Sequence, residues 1–259
     1  MKFIPYNDEE MRLMREACRV AATVLDRTAK FVQVGMTTYD IDMFAKKTME
    51  ELGCESTAHN YRYGNHVYPG YVCISVNEEA IHGIGTTKRT IKPGDIVSID
   101  VATRYKGFVG DNCRTLLIEP VSAELRKFLD VTKGALAAGI AAARVGNRVG
   151  DISHAIEEFI KPHDYGIIRD YTGHGVGRDM HTEPQIPNVG KPHKGEKLRA
   201  GMTLAIEPMV NMGTYRVETA EDGWTVLTLD RKPAAHCEHT VLVTEGEPEI
   251  LTIPMEETA

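Results

Sequence analysis

Lys92-Pro93-Gly94-Asp95-Ile96-Val97-Ser98-Ile99-Asp100 and Arg199-Ala200-Gly201-Met202-Thr203-Leu204-Ala205-Ile206-Glu207 are two versions of one unit. In each, a basic residue and a glycine turn lead into a short apolar strand. A carboxylate ends the strand eight residues after the basic residue, and the two units lie 107 residues apart. A second match lies upstream of each. Val34-Gly35 and Asp40-Ile41 correspond to Val145-Gly146 and Asp151-Ile152 at a spacing of 111. Turn–strand units resemble one another in general. Two matches at nearly one spacing point instead to an internal duplication, with halves of about 10–120 and 121–245.

Outward from these units, helical periodicity covers 8–33 (Met11, Met14, Cys18, Ala21, Leu25) and 38–52 (Ile41, Phe44, Ala45, Met49, Leu52), then 122–143 and 149–161. Strands are expected at 71–77, 96–103, 107–118, 167–171, 203–210, 224–229 and 236–244. Helices followed by strands, twice, predict an α+β class with a sheet on one side and helices on the other. No linker or low-complexity stretch divides the halves, so residues 1–259 read as one pseudo-symmetric domain.

A net charge of −7 argues against a nucleic-acid or membrane surface. No apolar run reaches the ~20 residues that span a bilayer. The N-terminus lacks an apolar signal core. The five cysteines are odd in number and hold no CxxC pair, which reads as reduced thiols in a cytoplasmic protein.

Five residues spread along the chain suit metal ligation: Asp100, Asp111, His174, Glu207 and Glu238. Several end or interrupt apolar runs, where an uncompensated charge costs several kcal/mol. Any one of these carboxylates alone reads as a cap, a turn residue or an ion-pair partner. As an oxygen-rich set with one imidazole and no thiolate they suit a hydrolytic site better than a structural zinc site. Four carboxylates balance two divalent ions, and two ions ~3.5–4 Å apart are a hydrolase arrangement. A hairpin through Arg104–Gly107 would fold Asp111 back beside Asp100. Pro208 biases Glu207 toward an extended backbone. His82 and His181 lie close in sequence to these residues and suit proton transfer or donation to a carbonyl. His154, His163 and His193 read as surface residues. The segments at His82-Gly83 and His174-Gly175 lack phosphate-loop spacing.

The segment Tyr171–Ile186, with Thr172-Gly173-His174-Gly175-Val176-Gly177 and Met180-His181-Thr182-Glu183-Pro184, resembles type I methionine aminopeptidases of the pita-bread fold. Asn77 to His82-Gly83, Ser98 to Asp100, Gly110-Asp111, Ile206-Glu207-Pro208-Met209 and Glu238-His239-Thr240 match in order and spacing, over roughly 8–245. The resemblance implies a pseudo-twofold central antiparallel sheet with helices on its outer face. It implies two divalent ions (Co, Mn, Fe(II) or Zn) held by Asp100, Asp111, His174, Glu207 and Glu238, with Asp111 and Glu238 bridging. Glu207 would accept the proton of the attacking water, and His82 and His181 would contact the substrate. Tyr68, Cys73, Met180 and Trp224 carry onto the methionine pocket. The substrates implied are nascent polypeptide N-termini with a small second residue. The ribosome is a candidate partner and a monomer is expected.

Glu207 follows His181 by only 26 positions, which leaves no room for the helical insert of type II enzymes. An N-terminal zinc-binding extension, or the extra N-terminal domain of prolidase-like relatives, is not expected. There are departures. Residues 58–68 form a longer loop than the family usually has, and Tyr61 and Tyr63 carry over only loosely. Met180 stands where an aromatic residue is common, and His236 where glutamine is. Alternation puts His236 on the face of Glu238, where it could reach the outer shell of the metal pair or the rim of the substrate cleft; the favoured reading is an exposed strand residue without a role. Two competing readings are a proline-specific aminopeptidase and a catalytically silent binding module of the same fold.

Overall fold

The computed structural model describes residues 4–256, so the outermost residues of the expected 1–259 domain, 1–3 and 257–259, lie outside the described residues. The first half opens with α1 (Asp8–Phe31) and α2 (Thr38–Leu52). Both begin with capping boxes. The Asn7 and Glu10 side chains exchange bonds with each other's backbone N–H at 2.9 Å, and Thr37 and Asp40 do the same. Gly53, at φ 67°, stops α2. Short strands follow: β1 (Glu55–Ser56), β2 (Arg62–Tyr63), β3 (His66–Val67), β4 (Cys73–Val76) and β5 (Glu79–Ile81). The long hairpin of β6 (Ile96–Tyr105) and β7 (Phe108–Leu117) closes this half. Its two-residue turn, Lys106 at φ 48° and Gly107 at φ 82°, is the left-handed kind that matches strand twist.

The second half repeats the plan with α3 (Ala123–Ala142) and α4 (Val149–Ile160). Then come β8 (Gly166–Ile167), β9 (Thr172–Gly175), β10 (Thr182–Pro187), β11 (Thr203–Ile206), β12 (Met209–Asn211), β13 (Val217–Thr219), β14 (Val226–Thr228), β15 (Ala234–His236), β16 (Glu238–Leu242) and β17 (Glu249–Ile250). The duplication holds in the backbone. Gly35 and Gly146 share φ 91° and 94°, and Gly94 and Gly201 share φ 91° and 90°. The bridge Thr37–Thr90 has its counterpart in Arg148–Lys197, at the spacings of 111 and 107.

One antiparallel sheet runs through both halves in the order β1-β6-β7-β16-β11-β9-β10, with β4 added on β6 and β17 on β16. The helices cover one face of it. Each half has its own apolar core: Val24, Ile41, Ile74 and Ile99 in the first, Phe128, Ile152, Ile156, Leu204 and Ile206 in the second. The α+β class and the helices-outside arrangement are as the sequence predicts, and all four helices fall within two residues of their expected bounds.

Three strand expectations change. The 203–210 run is interrupted at Glu207-Pro208, because proline has no N–H for the ladder, so Glu207 sits between strands. The 236–244 run is interrupted at Cys237, and its two parts join different sheets. The strand expected at 167–171 ends at Ile167 and pairing resumes at Thr172. There Gly173 and Gly175 pack so tightly that a Cβ would stand 2.4 Å from the carbonyl oxygens of Ala205 and Glu183. Glycine carries no apolar signal, and this strand is invisible to a reading of periodicity.

Helix α1 lies directly on β7. A Cβ on Gly110 would stand 2.6 Å from Cys18 Cα and 2.7 Å from Ala17 O, both backbone atoms that cannot swing aside. Gly110 thus faces α1, and alternation turns Asp111 to the opposite face. Gly110→Ala should force helix and strand apart and destabilise the protein by about 1–3 kcal/mol. The check is the urea midpoint at unchanged m. A midpoint equal to wild type would show that α1 gives way freely.

Candidate metal centre and substrate cavity

The sheet face away from α1 bears a cavity of about 720 Å³. All eleven residues singled out in the sequence line it: Tyr68, Cys73, His82, Asp100, Asp111, His174, Met180, His181, Glu207, Trp224 and Glu238. Asp100 on β6 pairs with Cys113, and Asp111 on β7 pairs with Ala102, which makes the two aspartates diagonal neighbours on one face. Glu238 opens β16, which pairs with β7 on one side and β11 on the other. His174 lies on β9, opposite Ala205 of β11. Five adjacent strands therefore deliver or flank the five candidate ligands.

Ligand atoms of Asp111, His174 and Glu238 all lie within 4.8 Å of one another. His174 Nε2 is 3.4 Å from Glu207 Oε1 and 3.8 Å from Asp111 Oδ2. Its Nδ1 faces the Gly175 carbonyl at 3.0 Å. A carbonyl only accepts, so Nδ1 carries the proton and Nε2 turns a lone pair toward the carboxylates, the usual setting of a metal-ligating histidine. Thr240 Oγ1 donates to Asp111 O at 2.7 Å and receives Asp111 N–H at 3.3 Å, which pins the backbone under that carboxylate.

Among the described residues no lysine or arginine lines the cavity. Burial and mutual repulsion hold the Asp111 and Glu238 carboxyls well above the usual range, and burial raises Glu207 to about 8 and Asp100 to about 6. Burial lowers His82 and His174 to about 4, and lowers His181. A carboxylate cluster without a side-chain cation fits divalent metal: the donors are hard oxygens and imidazole, and their charge has no other counterion in the cavity.

The pocket residues lie beside this floor. The buried Tyr68 donates its hydroxyl to Gly83 O at 2.8 Å and meets Trp224 edge-on at 5.4 Å. Met180 Sδ accepts from Thr57 Oγ1 at 3.0 Å. The longer loop at 58–68 contains the β2–β3 hairpin. It carries Tyr61 to the rim, where the hydroxyl is 3.4 Å from His181 Nδ1 and the ring approaches Trp224 at 6.3 Å. His82 holds a left-handed backbone, φ 58°, and its ring meets Tyr171 edge-on at 5.6 Å. Such strain in a non-glycine residue is concentrated at functional sites.

Tyr61, Tyr63 and Tyr171 line the cavity but had no firm place in the sequence reading. Tyr171 was legible only as a neighbour of Gly173-His174. His236 is a correction. It is 3% exposed, lines the cavity, and places Nε2 3.2 Å from Glu207 Oε2. The alternation that sets it on the face of Glu238 holds, since both line the cavity, but the exposed reading does not.

Fold and cavity together define a metallohydrolase built on a duplicated, curled antiparallel sheet. The model of metallopeptidase family M24 matches residues 12–245. The chain is 42% identical over 247 residues to a methionine aminopeptidase of Clostridium acetobutylicum, covering 95% of this chain and 97% of that one. It is 41% identical over 243 residues to methionine aminopeptidase 1 of Bacillus subtilis, covering 94% and 96%. The crystal structure of methionine aminopeptidase from Thermotoga maritima superposes with a TM-score of 0.91 at 39% identity, covering 97% of this chain and 99% of that one. The chain belongs to metallopeptidase family M24, in its methionine aminopeptidase branch. It is a hydrolase that requires divalent metal.

Metal-free protein should lose stability as pH rises. An unfolded glutamate sheds its proton near pH ~4.3, whereas Glu207 in the fold holds its proton to about 8. The folded state binds the extra proton between these values, so its contribution is full below pH ~4 and is lost as pH rises through about 8. His82 and His174 act in the opposite sense, but only below their unfolded value of ~6.5. Chelated protein should therefore melt lower at pH 9 than at pH 7. One proton over one pH unit is about 1.4 kcal/mol, or ~2–4 °C for a chain of this size. Saturating divalent metal should flatten the slope, since its ligands are deprotonated throughout. A flat profile for chelated protein would contradict the buried cluster.

Proposed function

We propose that the protein removes the initiator methionine from nascent polypeptides, preferring a small second residue, and that two divalent ions at Asp100, Asp111, His174, Glu207 and Glu238 serve the reaction. The carrying observation is the single cavity in which these five residues, His82, His181 and the four pocket residues converge. Asp111 and Glu238 are the carboxylates that both ions would share. Both are buried, and both belong to the close three-residue cluster.

When bound, the ions supply Lewis acidity and a nucleophile from water near neutral pH. Glu207, at the edge of the carboxylate cluster, accepts the proton of the attacking water. His82 and His181 line the same cavity and donate toward the scissile carbonyl or the leaving amine. Tyr68, Cys73, Met180 and Trp224 hold the methionine side chain against apolar and aromatic surface. The whole constellation comes from one chain, which supports a single catalytic domain acting as a monomer. Among the described residues no helix is long and apolar enough to cross a membrane. That agrees with a cytoplasmic place, where nascent chains emerge and the ribosome is at hand.

The test compares hydrolysis of Met-Ala-Ser with an Ala-Pro peptide by metal-loaded protein. Met-Ala-Ser should be cleaved and Ala-Pro spared. The reverse would assign the proline-specific reading, and no hydrolysis of either would assign the silent binding module.

Asp100→Asn and Glu238→Gln each remove an anionic donor and should abolish turnover while lowering bound metal. Retention of full metal and near-wild-type turnover would remove these residues from the ligand set. His181→Ala should lower kcat ~10²-fold or more with metal content intact, the scale of one positioned acid–base or electrostatic group. Loss of metal in that variant would make His181 a ligand instead.

A further inference from the structure

Glu207 is flanked by two imidazoles. His174 Nε2 stands 3.4 Å from Oε1, and His236 Nε2 stands 3.2 Å from Oε2. The first belongs to the donor set above. Nothing yet accounts for the second. His236 Nε2 is completely buried and has no hydrogen-bond partner among the described residues; Glu207 is near enough but not aligned with the ring N–H. A buried polar atom left unpaired costs about 1–3 kcal/mol.

The backbone of His236 is nonetheless firmly held. Thr115 Oγ1 donates to its carbonyl at 2.6 Å and receives its N–H at 3.1 Å, and Cys113 Sγ donates to the same carbonyl at 3.3 Å. The residue also pairs with Met209 across β12 and β15. A rigid frame thus presents the unpartnered nitrogen to the carboxylate floor.

The separations point to the missing partner. Two donors each about 2.0–2.2 Å from one ion, at an octahedral or tetrahedral angle, stand about 2.8–3.5 Å apart. Both imidazole–Glu207 distances lie in that interval. The geometry points to His236 as a second imidazole donor of the metal centre, opposite His174 across Glu207, whose two oxygens would then face one ion each beside the shared Asp111 and Glu238, so that each of two divalent ions has one nitrogen ligand. This rests on the metal pair proposed above. A nitrogen at both positions shifts preference from manganese toward cobalt, zinc and iron, since imidazole suits the latter and carboxylate the former.

The test uses metal-stripped wild-type protein and the variants His236→Gln and His236→Ala, titrated with Co(II) alone under anaerobic conditions. Bound cobalt is measured by equilibrium dialysis, and imidazoles per cobalt by X-ray absorption fine structure. Wild type should bind two cobalt ions with an average of one imidazole each. Either variant should fall to one imidazole per two cobalt ions and bind one ion at least ~10-fold more weakly, the low end of what disturbing a metal site costs. Unchanged imidazole counts and unchanged dissociation constants in both variants overturn the inference. If circular dichroism shows both variants unfolded, wild type alone decides: one imidazole per cobalt supports the inference and one per two overturns it. A wild type that fails to bind a second cobalt ion sinks the metal-pair reading itself, a result distinct from unchanged variants.

Discussion

Asp100, Asp111, Glu207 and Glu238 are packed into one cavity with no lysine or arginine among the described residues beside them. Each carboxylate brought out of water in such company raises the cost of ionising the next, which is why burial and repulsion together drive Asp111 and Glu238 far upward. An apolar core cannot provide such a place, and a flexible surface would let the groups move apart. The protein solves this with a stiff frame. Adjacent strands present the carboxylates on one sheet face, while α1 and the other helices seal the opposite face. The close seat of α1 on Gly110 shows how little slack that seal has.

Duplication builds the frame, yet the two halves contribute unequally. Asp100 and Glu207 hold equivalent places in the two halves, at one spacing from a basic residue and a glycine turn, although β6 runs on past Asp100 while β11 stops before Glu207. The first half adds Asp111 through one long hairpin. The second supplies His174, Glu207 and Glu238 from three separate segments, and Pro208 ends β11 so that Glu207 leaves the ladder. A symmetric scaffold therefore carries an asymmetric donor set, with aspartates on one side and glutamates and imidazole on the other.

Much of this was legible in the sequence because the signals were local. Apolar periodicity marks the helices. The hairpin at Lys106-Gly107 fixes the relation of Asp111 to Asp100. The duplication was readable since turn glycines recur at a fixed spacing. The less legible features depended on contacts far apart in sequence. Strand β9 is Thr172-Gly173-His174-Gly175, and it exists because its glycines fit against Ala205 and Glu183. His236 was misplaced at the surface because its burial follows from pairing with Met209 and bonding to Thr115, neither of which alternation can reveal. Tyr61 reaches His181 only through the 58–68 loop, whose path no periodic pattern encodes.

The halves meet at the β7–β16 seam, where Glu238 pairs with Cys113 and His239 with Asn112. Only these two pairs are registered there, yet Asp111 and Glu238, the residues assigned to bridge, lie on opposite sides of it. A slip of one residue along either strand would turn its side chain to the helix face and dissolve the cluster. So short a ladder fixes register weakly by itself. Side chains reinforce it: Thr240 bonds both the N–H and the carbonyl of Asp111, and Thr115 and Cys113 bond the carbonyl of His236. These threonines and this cysteine touch neither substrate nor metal in the proposed chemistry. They hold two half-sites in the one register that makes them a single site, and this is how a duplicated fold with its donors divided between two halves keeps one centre.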